Sequence, residues 1–149
     1  VSIHANASPS SGVRGVEIYS LRDLDSKEKR EEQRSRNLDL LCRDLSMDHS
    51  NSSLRRVIGD MLYDYKREES QKAASALSRG LAQAMDTSSR GTKEAGFFVL
   101  RNTLVPAVLV EVGFLSNMRE ARQLSMSSYQ EKIADILADN IVNYLSRWE

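Results

Sequence analysis

The sequence predicts an α/β protein, a sheet with helices on its faces. Three observations carry that expectation. Short runs rich in β-branched and aromatic residues occur near both ends of the chain. Long stretches with apolar residues at i, i+3, i+4 and i+7 lie between and after them. Strands separated by helices of that length need the helices to cover the sheet.

Each element follows in order. Val1 to Ala5 alternates as a strand does and stops at "NASPSSG", a loop signal. "GVEIYSL", Gly15 to Leu21, is a second strand. "RDLDSKEKREEQRSR" mixes both charges with good helix formers and reads as a solvated helix or a linker. Leu38, Leu41 and Leu45 then form one helical stripe, broken at "DHSNSS". Ser53 is placed to cap the next helix. Its stripe runs through Leu54, Val57, Ile58, Met61, Leu62 and Tyr65, and on through Ala73, Leu77, Leu81 and Met85. "KREES" is a polar patch where that helix is expected to bend or break, and "DTSSRG" ends it. "AGFFVLR" reads as a short third strand, "NTLVP" as its turn or crossover, and "AVLVEVGFL" as the fourth. Ser128 and Glu131 form a capping-box pattern that opens a last helix. Ile133, Ile136, Leu137, Ile141, Tyr144, Leu145 and Trp148 share its face.

The bulk properties exclude some classes. At 149 residues the chain suits one domain with a real core. Basic and acidic residues balance, 21 against 21, so the global charge signature of a nucleic-acid binder is absent. No apolar run approaches the ~20 residues that span a bilayer. The single cysteine, Cys42, sits between leucines and reads as a small apolar residue on a helix face. His49 reads as an exposed loop histidine. The chain opens without methionine, directly in a strand, which suggests a piece of a longer polypeptide.

Two polar residues stand out. In "PAVLVEVGFLSN" a carboxylate, Glu111, sits inside an apolar run suited to a strand buried on both faces. An unpaired buried carboxylate costs several kcal/mol, about the penalty of a buried ion. In "VSIHANA", His4 has a similar setting near the end of its strand. Ligands of open α/β sheets gather at the carboxyl ends of strands. If the two strands are parallel neighbours, His4 and Glu111 share one crevice. The plainer reading is that they hydrogen-bond each other or the backbone. The functional reading is a metal site, with the imidazole as ligand and the carboxylate as ligand or base. A catalytic zinc wants about three protein ligands, and this chain offers no obvious complete set.

"SIHANA", "GVRGVEIYSL", "RGTKEAGFFVLRNTLVPAVLVEVGFLSN" and "YQEKIADILADNIVNYL" resemble, in order and spacing, the zinc-dependent N-acetylmuramoyl-L-alanine amidases. The resemblance implies a mixed, largely parallel sheet flanked by helices. It implies one Zn²⁺ and hydrolysis of the amide joining N-acetylmuramic acid to the L-alanine of the peptidoglycan stem peptide. It makes His4 a zinc ligand. It makes Glu111 the catalytic carboxylate, which takes a proton from the attacking water and passes it to the leaving amine. The family's "DPGHGG"-type segment with another histidine ligand, and a glutamate ligand on the following helix, have no counterpart in these residues. Both would precede Val1. Residues 1–149 are therefore expected to be the C-terminal part of one amidase domain, inactive alone and exposing a sheet edge.

The segment 22–67 resembles a helical insertion of family members that act in cell division. There the resemblance implies a regulatory helix that blocks the cleft until an activator protein withdraws it. Glu31, Glu32, Asp39 and Asp44 are the acidic residues available to occupy the metal's open position. The implied setting is the periplasm or cell envelope of a bacterium, with stem peptide and glycan as substrate. Asn6 and Asn102 are weaker candidates for contact with peptide or glycan, though they also suit plain turns; Arg90 and Arg101 are candidates to meet a stem-peptide carboxylate, with ordinary surface charges as the alternative. The alternative is an inactive amidase-like module that binds peptidoglycan or a partner protein.

Overall fold

The structure, a computed structural model, describes residues 1–23, 31, 32, 35, 36, 38, 39, 42 and 52–146. His49, Asp44, Leu41, Leu45, Trp148 and residues 48–51 of the "DHSNSS" break lie outside the described residues, while its last two serines belong to the helix that follows. Strands β1 (Ser2–Asn6) and β2 (Val16–Leu21) are followed by a long helix α1 (Ser52–Ala84). Then come β3 (Ser89–Ala95), a single-turn helix α2 (Phe98–Arg101) and β4 (Leu109–Phe114). Helices α3 (Met118–Leu124) and α4 (Ser127–Leu145) close the described chain.

The strands form one sheet in the order β1-β4-β2-β3. The β1–β4 and β2–β3 pairs are parallel, and β2 meets β4 antiparallel. The sheet is thus mixed and largely parallel, as expected. Alternation along β2 and β4 splits the core in two. Val16, Ile18, Val108, Val110 and Val112 pack with Ala74, Leu77 and Leu81 of α1 and with Ile133 and Leu137 of α4. On the other parity, Leu21 and Leu109 cluster with Tyr63 and Leu100. The two long helices approach so closely that a Cβ on Gly80 would collide with Asn140.

Several local expectations are corrected. The helix α1 does not break at "KREES", and Leu54, Val57, Met61 and Tyr65 are at least half exposed. In this first half the inward residues are instead Tyr63, Lys66 and Ser70, while Leu77, Leu81 and Met85 of the second half are buried as expected, with Ala73 packed against them. Backbone groups explain the choice. Lys66 Nζ donates to the carbonyls of Arg101 (2.9 Å) and Thr103 (2.7 Å). Ser70 Oγ accepts from Ala107 N at 2.9 Å. The turn before β4 has polar backbone that must be partnered, and only a polar patch on α1 can serve it. Burial pulls the Lys66 ammonium down to about 8.

The third strand is "SRGTKEA", not "AGFFVLR", whose residues 98–101 form α2. As an edge strand, β3 has one neighbour and mostly exposed side chains, so no apolar alternation marks it. Ser53 is inside α1 rather than its cap. The last helix is preceded by Met126 with no side-chain cap, so the Ser128–Glu131 pattern is not used. Asn117 caps α3, accepting from Arg119 N and Glu120 N.

Candidate active site

The two polar residues singled out in the strands meet. His4 of β1 is the register partner of Glu111 of β4 in a parallel pair, so both side chains leave the same face. His4 is exposed, and Ser2 Oγ lies 2.8 Å from its Nε2. In the tautomer whose Nε2–H donates to Ser2, Nδ1 keeps its lone pair for a metal or a proton. Glu111 is only 8% exposed, and its Oε2 is buried with no hydrogen-bond partner among the described residues. Burial raises the Glu111 pKa, the His4 imidazole opposes that rise, and the Glu17 carboxylate adds to it.

Glu17 continues the row. On β2 it is the antiparallel register partner of Glu111, and it is buried still more deeply. Two carboxylates directly opposite each other repel. Here the repulsion is divided unequally. Arg90 Nε reaches Glu17 Oε1 at 2.6 Å and Lys93 Nζ reaches the same oxygen at 2.8 Å. Tyr19 OH donates to Oε2 at 2.8 Å, and Asn6 Nδ2 does so at 3.3 Å. Burial pushes the Glu17 pKa up, but the hydrogen bonds from Lys93, Arg90 and Tyr19 together outweigh it and hold it below the usual range. Tyr19 is driven to about 12, first by burial and then by its bond to that carboxylate. Glu17 is thus held as an anion, whereas burial disfavours the charged form of Glu111.

Local sequence makes the row possible. Gly15 takes φ 108°, and a Cβ there would strike the Ser88 carbonyl, so β2 enters the sheet through a turn only glycine fits. Glu120 of α3 accepts from Gly15 N (2.9 Å) and Phe114 N (2.7 Å), tying the start of β2 to the end of β4. That tie fixes the register that sets Glu17 against Glu111.

The other candidates divide. Asn6 joins the row through Glu17. Asn102 instead donates its Nδ2 to the Phe98 carbonyl and finishes α2. Arg101 is the last residue of α2, its guanidinium 6.0 Å from the Phe98 ring centre. Glu17, Tyr19 and Lys93 were not singled out in the sequence. "GVEIYSL" carried the same signal for Glu17 as "VLVEVGF" did for Glu111, a carboxylate between apolar strand residues.

Among the described residues no group of three or more His, Cys, Asp and Glu side chains could hold a metal. His4 and the unpartnered Oε2 of Glu111 fit the rim of such a site, whereas Glu17 is already satisfied by two cations. A family model described as N-acetylmuramoyl-L-alanine amidase matches residues 1–143. The chain belongs to that family. It is 26% identical over 147 residues to the amidase AmiA of Escherichia coli (strain K12), covering 97% of this chain and 50% of that protein. The catalytic domain of CwlV, the amidase of Bacillus (Paenibacillus) polymyxa var. colistinus, superposes with a TM-score of 0.61 at 28% identity, over 97% of this chain and 56% of that one. The CwlD amidase of Clostridioides difficile, solved in complex with the GerS lipoprotein, gives 0.59 at 26%, over 97% and 53%. The family chain thus spans about half the length of these relatives. No described helix is long and apolar enough to cross a membrane.

Proposed function

We propose that this chain is the C-terminal part of a peptidoglycan amidase domain that cleaves the bond between N-acetylmuramic acid and L-alanine. The observation that carries the reading is the pairing of His4 with a buried Glu111 whose Oε2 has no partner among the described residues. His4 would be one ligand of a zinc ion. When bound, such an ion polarises the scissile carbonyl and makes water acidic. Glu111, its pKa raised by burial, would take a proton at Oε2 and return it to the departing nitrogen. Asn6 and Tyr19 hold Glu17, and through it the neighbouring strand, in place. The proposed setting is the periplasm or cell envelope, in wall remodelling and cell separation.

The regulatory reading of the insertion belongs to the same proposal. Residues 31, 32, 35, 36, 38, 39 and 42 are helical. Val57, Met61 and Tyr65 leave apolar surface open on α1, and a relative is known bound to a lipoprotein. Glu32 pairs with Arg36 (2.6 Å) and Glu31 with Arg56 (3.6 Å), and Glu31, Glu32, Asp39 and Asp44 all remain acidic candidates for a plug. Tyr63 and Lys66 are built into the core, so the removable part of 22–67 ends before α1.

One experiment tests the whole. The full-length protein is given an N-acetylmuramoyl-L-alanyl peptide, and release of the free α-amine is followed. Hydrolysis is expected, with about one zinc per chain that is lost in His4→Ala. Removing residues 24–51 is expected to raise the rate. No hydrolysis by wild type or deletion protein, with zinc supplied, sinks the enzyme reading and leaves the binding module. An unchanged rate and unchanged partner response on deletion sinks the regulatory one.

A further inference from the structure

The row of polar residues does not end at Glu17. One cation would balance that carboxylate, yet it has two, and both are partly open to solvent. The side chain of Arg90 is 37% exposed and that of Lys93 45%. Arg90 uses only Nε on Glu17, so this ion pair leaves the two terminal nitrogens of the guanidinium fork unused. Its guanidinium carbon also lies over the Phe114 ring, 5.5 Å from the ring centre. Lys93 is the register partner of Tyr19 and sits 5.8 Å from the centre of that ring. The two cations are therefore preorganised, and with Glu17 they carry one net positive charge. A forked guanidinium held in place beside an ammonium is the chemistry that takes up a carboxylate.

We propose that Arg90 and Lys93, held by Glu17, form an anion subsite that receives a free carboxylate of the substrate peptide close to the scissile amide. The inference rests on the amidase reading and adds a specificity element to it. Its scale is consistent. β3 lies two strand spacings from β4, about 10 Å. A carboxylate on the residue after the alanine lies about 7 Å along an extended peptide from the bond attacked. Both cations lean from β3 towards β2 to reach Glu17, which closes the difference. Glu111, with its buried unpartnered oxygen, lies opposite Glu17 across the β2–β4 pair. A peptide held at both points would lie across the sheet, its amide at Glu111 and its acid at Arg90.

The test uses the full-length protein and two N-acetylmuramoyl-L-alanyl peptides. They differ only in whether the residue after L-alanine carries a free carboxylate or the corresponding primary amide. Wild type should prefer the acid. In Arg90→Gln the ratio of the two KM values should fall about tenfold, the change lying in KM rather than kcat. Lys93→Gln should lower it less. The same ratio is read as equilibrium affinity by calorimetry on Glu111→Gln, with and without Arg90→Gln, which needs no turnover. If neither peptide is hydrolysed, the amidase reading fails while calorimetry still decides the subsite. Equal losses for acid and amide, or no loss, in both Arg90→Gln and Lys93→Gln overturn the proposal. Far-ultraviolet dichroism of each variant identifies a misfolded one, and the folded member of the pair then carries the result.

Discussion

Glu17 and Glu111 face each other across one strand pair, and each is more than nine-tenths buried. They are provided for in opposite ways. Glu17 has two cations, a phenol and an amide around it. Glu111 has an exposed imidazole for its register partner and an oxygen with no hydrogen bond among the described residues. Burial pushes both pKa values up, but only at Glu17 do partners reverse the direction. A carboxylate given partners pins the strands together. A carboxylate denied them carries a raised pKa at a cost in stability, which suits the proton-transfer role proposed for Glu111. The sharing of one cross-strand position by both kinds is what ties the fold here to the proposed chemistry.

The largest effect should come from removing the reactive member. Glu111→Gln keeps the shape and deletes the proton carrier. In the full-length protein kcat for muramoyl-peptide hydrolysis should fall by about 10³-fold, within the usual range for a positioned acid–base. Thermal unfolding of the same variant should show a gain of about 1 kcal/mol, because a buried unpartnered charge and its repulsion with Glu17 are gone. Near-normal turnover, or a clear loss of stability, would mean that Glu111 is a structural residue like its neighbour.

Glu17→Gln tests the other side. It leaves Arg90 and Lys93 without their shared anion. The loss from breaking a fully buried pair is about 3–5 kcal/mol. Both cations are more than a third exposed and recover hydration, so about 1–3 kcal/mol is expected here. The loss should appear in urea unfolding as a lower midpoint with an unchanged slope. A variant as stable as wild type would show that the cations do not secure β3 through Glu17.

How much of this was legible in the residues depends on where each residue sits in the sheet. Central strands announced themselves. β2 and β4 each have two neighbours and bury both faces, so "VEIYSL" and "LVEVGF" read as apolar runs with one odd carboxylate. The edge strand β3 did not, because "SRGTKEA" has no apolar alternation, whereas β1, at the other edge of the described sheet, was marked by the alternation of "VSIHA". The first half of α1's inward stripe was misread for a related reason, whereas Leu77, Leu81 and Met85 were placed correctly. Apolarity marks burial only where the opposing surface is apolar, and the turn at residues 101–107 presents carbonyls and an N–H that Lys66 and Ser70 answer. Of the site, the pairing of His4 and Glu111 followed once β1 and β4 were taken as parallel neighbours. Glu17 carried the same signal as Glu111 and was passed over; only its place opposite Glu111 could not be read, because one sequence does not reveal which residue lies opposite which across an antiparallel pair.

The finest test of the contrast is the pH dependence of stability, taken on full-length protein in chelator so that no metal biases Glu111. Glu17 in the fold titrates below its ordinary value of 4.5. Between those two values the unfolded chain binds the extra proton, so stability rises with pH. That contribution is complete above about 4.5 and is lost as pH falls through the folded value. Glu111 titrates above 4.5. In its window the folded chain holds the extra proton, so stability declines as pH rises from about 4.5 through the raised value. The two glutamates therefore bend the curve in adjacent windows and with opposite slopes. Urea unfolding at half-unit steps from pH 3 to 8 should show Glu17→Gln flattening the limb below about 4.5 and Glu111→Gln flattening the limb above it. If each variant's curve merely runs parallel to wild type throughout, the two carboxylates are not differently tuned, and the division of labour drawn between them does not hold.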